Sequence, residues 1–275
     1  MKLGLDVSQH QLTWPQLLER VRFAEDAGFD GVWLFDHFKA LYGDPTGPCM
    51  EAWTLMAALA AATERIRFGA LVTGVTYRHP SILAAEAVTV DHVSSGRLEI
   101  GIGAAWFDGE HRELGIDFPA APERAHRLEE AIQVMKALMT TDGANFDGRY
   151  YQLDDATYRP RPVQQPHPPI WVGAGGERLT IPIAARHADV WHGFGSVDTL
   201  IRKSAIVDEH AALAGRDPSE IARSTNLSLS EPINEVRDTA LAVQDAGFSY
   251  LIASWPADGQ PRVEEFLGKV APELS

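Results

Sequence analysis

The fold this sequence predicts is an eight-stranded parallel α/β barrel, the TIM or (β/α)8 architecture, built as a single domain over residues 1–275. Three observations predict it. Segments with the period-2 pattern of strands alternate eight times with period-3.6 helical segments, and turn or capping residues mark each switch. A length of 275 residues is long for an ordinary domain but usual for one such barrel. Finally, Asp26-Ala-Gly-Phe-Asp-Gly-Val-Trp-Leu34 is echoed by Asp245-Ala-Gly-Phe-Ser-Tyr-Leu-Ile-Ala253. In both, a glycine ends a helix, an apolar residue packs the turn and a buried strand follows. A doubly wound open sheet would also alternate, but it rarely needs eight strands at this spacing.

Each element has its own signal. Residues 3–7 read as a strand, and the helix that starts at Thr13 has Pro15 in its first turn, an apolar face of Leu17, Leu18, Val21, Phe23 and Ala24, and a stop at Gly28. A strand over 31–35, a nearly apolar helix over 52–62 and a strand over 66–72 follow. The next helix runs from Pro80 to about Val93, and the fourth strand covers 96–103. A small insertion is expected after strand four, and with it come an amphipathic helix over 124–139 and a hairpin over 145–152 turned at Asp147-Gly148. The proline-rich stretch 159–169 reads as an extended connector into strand five, 170–175. Helices over 176–187, 198–213, 235–245 and 263–270 then alternate with strands over 189–194, 224–230 and 249–254.

Composition narrows the function classes. With 45% hydrophobic and 23% charged residues the chain is able to bury a large core. Its formal net charge of −14 is spread along the chain, which argues against nucleic-acid or anionic-membrane partners and requires a local positive site for any anionic ligand. Cys49 is the only cysteine, so no internal disulfide is possible. The start MKLGLDVSQH lacks a basic n-region, and no stretch approaches the ~18 apolar residues of a membrane helix, so a cytoplasmic protein is expected.

In a barrel of this type reactive residues lie where strands end. Strand two ends in Asp36 and His37, two ionisable residues that could equally belong to a solvated loop. Strand three runs out through Thr73-Gly-Val-Thr-Tyr-Arg-His-Pro80, where Arg78 could simply pair with an acid. Strand four ends in Gly101-Ile-Gly-Ala-Ala-Trp-Phe107, whose glycines allow close approach by something flat or relieve crowding inside the barrel. Strand five ends in Gly173-Ala-Gly-Gly-Glu-Arg178 and is expected to open straight into a helix, where backbone N–H groups would cradle a phosphate. A metal site could draw on Asp6, His10, Asp36, His37 and His79, but strands four, five and eight offer Gly103, Gly175 and Ser254, so none is expected. Hydrolase, zincin and Walker motifs are absent from the sequence.

Leu34-Phe-Asp-His-Phe38, the stretch Gly69 to Pro80, the stretch Ala85 to Gly103 with Asp91-His-Val-Ser-Ser-Gly-Arg97, Pro160 to Gly176, and Ala188-Asp-Val-Trp191 together resemble the luciferase-like family of flavin- and deazaflavin-dependent oxidoreductases and monooxygenases. The match looks closest to the branch that uses coenzyme F420. That resemblance implies a luciferase-like barrel with a reduced ring in its mouth, Asp36 beside the ring and His37 as the catalytic residue. Gly74-Val75 would form a bulge behind the ring, often with a non-proline cis bond, and Thr73 would also contact the cofactor. Gly103, Ala104 and Trp106 would line the ring edge, and Ala174, Gly175 and Gly176 would hold the cofactor phosphate. One departure stands out: where deazaflavin-dependent sugar-phosphate dehydrogenases have a glutamate after the last glycine of strand four, this chain has Ala104. It is also shorter than many relatives after strand six, which implies an open mouth.

The implied function is hydride transfer between reduced coenzyme F420 and a small organic substrate. The alternative is a monooxygenase using reduced FMN and O2, with a flavin or F420 reductase as supplier; a non-catalytic flavin binder is the third class. A homodimer is expected, because family barrels commonly pair and helices 52–62 and 82–90 are unusually apolar. No motif encodes the substrate, whose walls would come from loops 39–50 and 106–119.

Overall fold

Strands buried on both faces need partners along both edges, and here they find them by closing on themselves. The computed structural model describes residues 1–274. In chain order its main elements are β1 (Lys2–Asp6), α1 (Trp14–Asp26), β2 (Gly31–Leu34), α2 (Ala52–Ala62), β3 (Arg67–Ala70), β4 (Thr73–Gly74), α3 (Pro80–Val93) and β5 (Leu98–Gly103). Then come α4 (Asp108–Leu114), α5 (Ala121–Thr140), the hairpin β6 (Ala144–Asp147) and β7 (Gln152–Ala156), β8 (Ile170–Gly173), α6 (Thr180–His187), β9 (Val190–Gly193), α7 (Val197–Leu213), β10 (Ala222–Leu227), α8 (Ile233–Asp245), β11 (Tyr250–Ser254) and α9 (Gln260–Lys269).

The sheet runs β3-β2-β1-β11-β10-β9-β8-β5, all parallel, and the pairing of β3 with β5 closes it into an eight-stave barrel among the described residues. β4 carries the third stave upward beside β5, with Thr73 opposite Ile102 and Gly74 opposite Gly103. The lower barrel is filled by Trp33, Trp171, Tyr250 and Ile252, with the two indole rings 4.2 Å apart. These rings require a glycine beside them, since a Cβ on Gly4 would lie 2.8 Å from Trp33 Nε1, and higher up a Cβ on Gly101 would lie 1.9 Å from the Ala70 carbonyl oxygen. The main core lies between the barrel and its helices, from Leu5, Val32 and Phe68 to Leu251 and Phe266.

Several boundaries differ from the sequence reading, each for a local reason. Strand three breaks at Leu71–Val72, a non-proline cis bond, and Val72 turns inward to fill space beside Gly101, Gly103 and Gly173. The expected bulge at Gly74-Val75 is therefore corrected: Gly74 pairs in register with Gly103, and the Val75 N–H donates to the Gly103 carbonyl at 2.9 Å. The helix expected from Gly176 begins only at Thr180, because the Thr180 hydroxyl accepts the Gly176 N–H at 3.0 Å and holds the preceding turn out of the helix. β10 ends at Leu227 rather than residue 230, since its polar residues Ser224 and Asn226 blur the alternation that would mark it. The insertion after strand four contains a helix of its own, α4, closed by Gly115 at φ 68°.

Candidate active site

The barrel opens at its C-terminal end into a cavity of about 520 Å³. His37, Gly74, Gly103, Ala104, Trp106 and Gly175 line it, so six of the sequence-predicted positions converge. Asp36, Thr73, Val75 and Ala174 are buried behind the wall, and Gly176 is exposed on the loop beside it. A larger cavity of about 720 Å³ lies at the opposite end of the barrel, among Arg67, Glu99 and Tyr250, away from the strand ends where such folds do chemistry.

His37 follows β2 and is 7% exposed. Its Nδ1 lies 3.0 Å from Glu110 Oε2, a carboxylate supplied by α4. The same oxygen accepts the Tyr77 hydroxyl at 2.5 Å, while Oε1 accepts the Phe38 N–H at 2.7 Å and the Lys39 N–H at 3.1 Å. Burial by itself would raise the Glu110 carboxyl, but the bonds from His37, Tyr77 and Phe38 outweigh it and hold the group below its ordinary range. A carboxylate facing Nδ1 places the ring proton there, so Nε2 is left as the basic nitrogen for a ligand. The Tyr77 hydroxyl, half-buried and facing that carboxylate, has its pKa pushed up and stays a proton-bearing donor.

Asp36 is the acid that Arg78 pairs with. Arg78 donates to both of its oxygens, at 2.5 and 3.1 Å, and also pairs with Glu51 and Glu86. Burial works against the Arg78 charge, yet the three carboxylates outweigh it and raise its pKa. Asp36 thus ties the end of β2 to the segment before α3, and the carboxylate that faces His37 is Glu110. Thr73 is likewise structural in its contacts, accepting the Trp53 indole N–H at 3.0 Å.

The loop after β8 carries the anion-binding expectation in altered form. The Ala174 N–H donates to the His192 carbonyl at 3.2 Å and the Gly176 N–H to Thr180, which leaves the Gly175 N–H free among the described residues. A Cβ on Gly175 would meet only Lys203 Nζ, at 3.6 Å. Lys203 comes from α7 and makes no ion pair among the described residues, so it is the local cation that an acidic chain needs here. The candidate metal ligands do not converge: among the described residues no three His, Cys, Asp or Glu group as a metal site would require.

A family profile described as luciferase-like monooxygenase matches residues 1–244. This chain belongs to the luciferase-like monooxygenase family. Among curated relatives, an FMNH(2)-dependent dimethylsulfone monooxygenase of Pseudomonas putida is 33% identical over 74% of this chain and 57% of its own length. An F420-dependent glucose-6-phosphate dehydrogenase of Microbacterium testaceum (strain StLB037) is 31% identical over 88% of this chain and 71% of its own length. This chain therefore spans little more than half of the first of these relatives. A solved F420-dependent secondary alcohol dehydrogenase, in complex with an F420-acetone adduct, superposes with a TM-score of 0.90 over 100% of this chain and 99% of that one, at 21% identity, and shows the shared fold. The shared fold accounts for the barrel. Glu110, Tyr77 and Lys203 were the site residues that sequence reasoning passed over, and only Tyr77 stood within a stretch quoted for the resemblance.

Proposed function

We propose that this chain is an oxidoreductase that moves hydride between reduced coenzyme F420 and a small organic substrate, with His37 moving the accompanying proton. The observation that carries this reading is the His37–Glu110 pair, 3.0 Å apart, beside a cavity with glycines and alanines at the ends of β4, β5 and β8 and apolar and aromatic side chains elsewhere in its wall. The residues present fit a flat anionic cofactor: Gly74, Gly103 and Ala104 keep the wall shallow, Val72 backs it, and the Gly175 amide with Lys203 suits a phosphate. When bound, the reduced ring supplies the hydride. Glu110 fixes the ring of His37, and Nε2 takes or gives the proton at the substrate. Trp106, Phe107 and Phe35 surround His37 with rings 5.5–6.0 Å away, which holds the imidazole in place beside the cavity.

Titration of the purified protein with F420 and FMN, each oxidised and reduced, tests the reading. Tighter binding of F420, with a reduced complex that resists oxygen, is the expected result. Tighter binding of FMN with oxygen uptake would favour a monooxygenase served by a separate reductase, a reading supported by the 33% identity to the dimethylsulfone monooxygenase. We also propose a homodimer through α2 and α3, since Ile82 and Val93 of α3 are 56% and 48% exposed. Light scattering at micromolar concentration should give twice the chain mass of 30.1 kDa; a monomer mass would remove that assignment.

A further inference from the structure

We infer that Asp6, at the floor of this cavity, selects the substrate, and that the molecule it takes carries a protonated amine on a small apolar skeleton. The inference rests on the reading above only for the use of the cavity as a substrate site. The carboxylates around the mouth are otherwise spent. Asp36, Glu51 and Glu86 surround Arg78, and Glu110 accepts bonds from His37, Tyr77 and two backbone amides. Asp6 ends β1 and lines the cavity, and only its Oδ1 is engaged, by the Ser8 N–H at 3.0 Å and the Ser8 hydroxyl at 2.7 Å. Oδ2 has no hydrogen-bond partner among the described residues.

Ser8 reaches Oδ1 with φ of 29°, a left-handed conformation that a serine keeps only when its surroundings impose it. Ala105, with φ of 58°, lines the same cavity. The closest source of positive charge does not neutralise Asp6: Arg20 lies 4.4 Å over the Trp255 ring, points Nη1 at the Val7 carbonyl and forms no ion pair with Asp6 among the described residues. Burial accordingly pushes the Asp6 carboxyl up, against the pull of Ser8 and of Arg20.

An unpaired carboxylate oxygen facing a largely apolar cavity is costly to desolvate unless the ligand brings a charged donor. Asn226 of β10 lines the same cavity, and its side-chain amide makes no hydrogen bond within the described residues, so its carbonyl can accept a second N–H. The remaining wall includes Phe35, Leu71, Val72 and Phe194, which suits an apolar or aromatic body and gives a cation ring faces to lie against. A carboxylate or phosphate at this end would face like charge.

The test uses three probes of one skeleton: benzylamine as its cation, benzyl alcohol and benzoate. Calorimetry on the parent protein, with and without saturating cofactor, should show benzylammonium binding about tenfold or more tighter than benzyl alcohol, with benzoate weakest. Asp6→Asn, which keeps the bond to Ser8 and removes the charge, should erase the amine preference while the variant still unfolds cooperatively and its cofactor affinity stays within about twofold. Asp6→Ser serves if the asparagine variant does not fold. Equal binding of amine and alcohol by the parent, or an amine preference that survives in the variant, overturns the inference. So does loss of cofactor affinity in the variant, which would make Asp6 a cofactor contact. If the parent binds neither F420 nor FMN, the cofactor reading fails by itself, and the amine preference is still decided on the cofactor-free protein.

Discussion

At His37 the decisive neighbour is Glu110, whose two oxygens accept four hydrogen bonds. A glutamine there cannot accept from both His37 and the amides of Phe38 and Lys39, so its NH2 group turns to one of them. If it faces Nδ1, the imidazole must shift its proton to Nε2 and loses the basic nitrogen at the substrate. Glu110→Gln should lower kcat by about tenfold or more with cofactor saturating, and His37→Gln by about a hundredfold or more, while cofactor affinity is retained. Because the two act as a unit, the double variant should be no slower than His37→Gln alone. Additive losses would show that Glu110 acts independently. The folded Glu110 carboxyl is depressed below its ordinary value of 4.5, so its stabilising effect is full above that value and is lost as pH falls through the lower folded value. The difference in thermal midpoint between parent and Glu110→Gln should therefore be constant near neutrality and shrink below about pH 4.5.

At the scale of elements, the loop between β8 and α6 replaces a helix terminus with one free amide and a lysine from the next helix. Gly175→Val meets only the flexible end of Lys203, so the fold should tolerate it while a phosphate-bearing cofactor loses its approach. Lys203→Met should weaken the same cofactor several-fold, and the difference from the parent should shrink as salt screens the lysine. If both variants bind F420 and FMN like the parent, the phosphate lies elsewhere. The opposite behaviour is expected at Gly101→Ala on β5, where the new Cβ meets a backbone oxygen at 1.9 Å and cannot be accommodated by side-chain motion. A loss of about 3 kcal/mol or more in denaturant unfolding is expected there. These elements also show what a sequence can and cannot tell. The buried strands were legible because β2 is apolar on both faces and β5 sets Leu98, Ile100 and Ile102 along one, and the placing of His37 followed from the end of β2. Glu110 was not legible, because α4 has seven residues and buries a glutamate and a histidine, so no apolar period marks it. Lys203 reads as a surface cation on α7 until the chain folds it against Gly175. The break at Leu71–Val72 was expected at Gly74-Val75 because the glycine looked like the irregular point, whereas three glycines on neighbouring staves make room for Val72.

For the whole molecule, the net charge of −14 sets a condition on how an anionic cofactor arrives. At about 0.01 M ionic strength the Debye length is roughly 30 Å, so most of the acidic surface acts on an approaching phosphate, whereas at about 0.15 M it falls to roughly 8 Å and only the mouth is felt. At the mouth Lys203 and the Gly175 amide attract, while the unpaired Asp6 lies deeper on the floor. Added salt therefore removes long-range repulsion before it weakens the short-range contact. The association rate of F420, measured by stopped flow, should rise between those two salt concentrations, and the dissociation rate should rise with it as Lys203 is screened. In Lys203→Met the rise in association should persist and the rise in dissociation should largely vanish. An association rate that falls steadily with salt would mean that the mouth steers the cofactor by a positive field larger than one lysine supplies, and would overturn the assignment of the phosphate to Lys203 and the Gly175 amide alone.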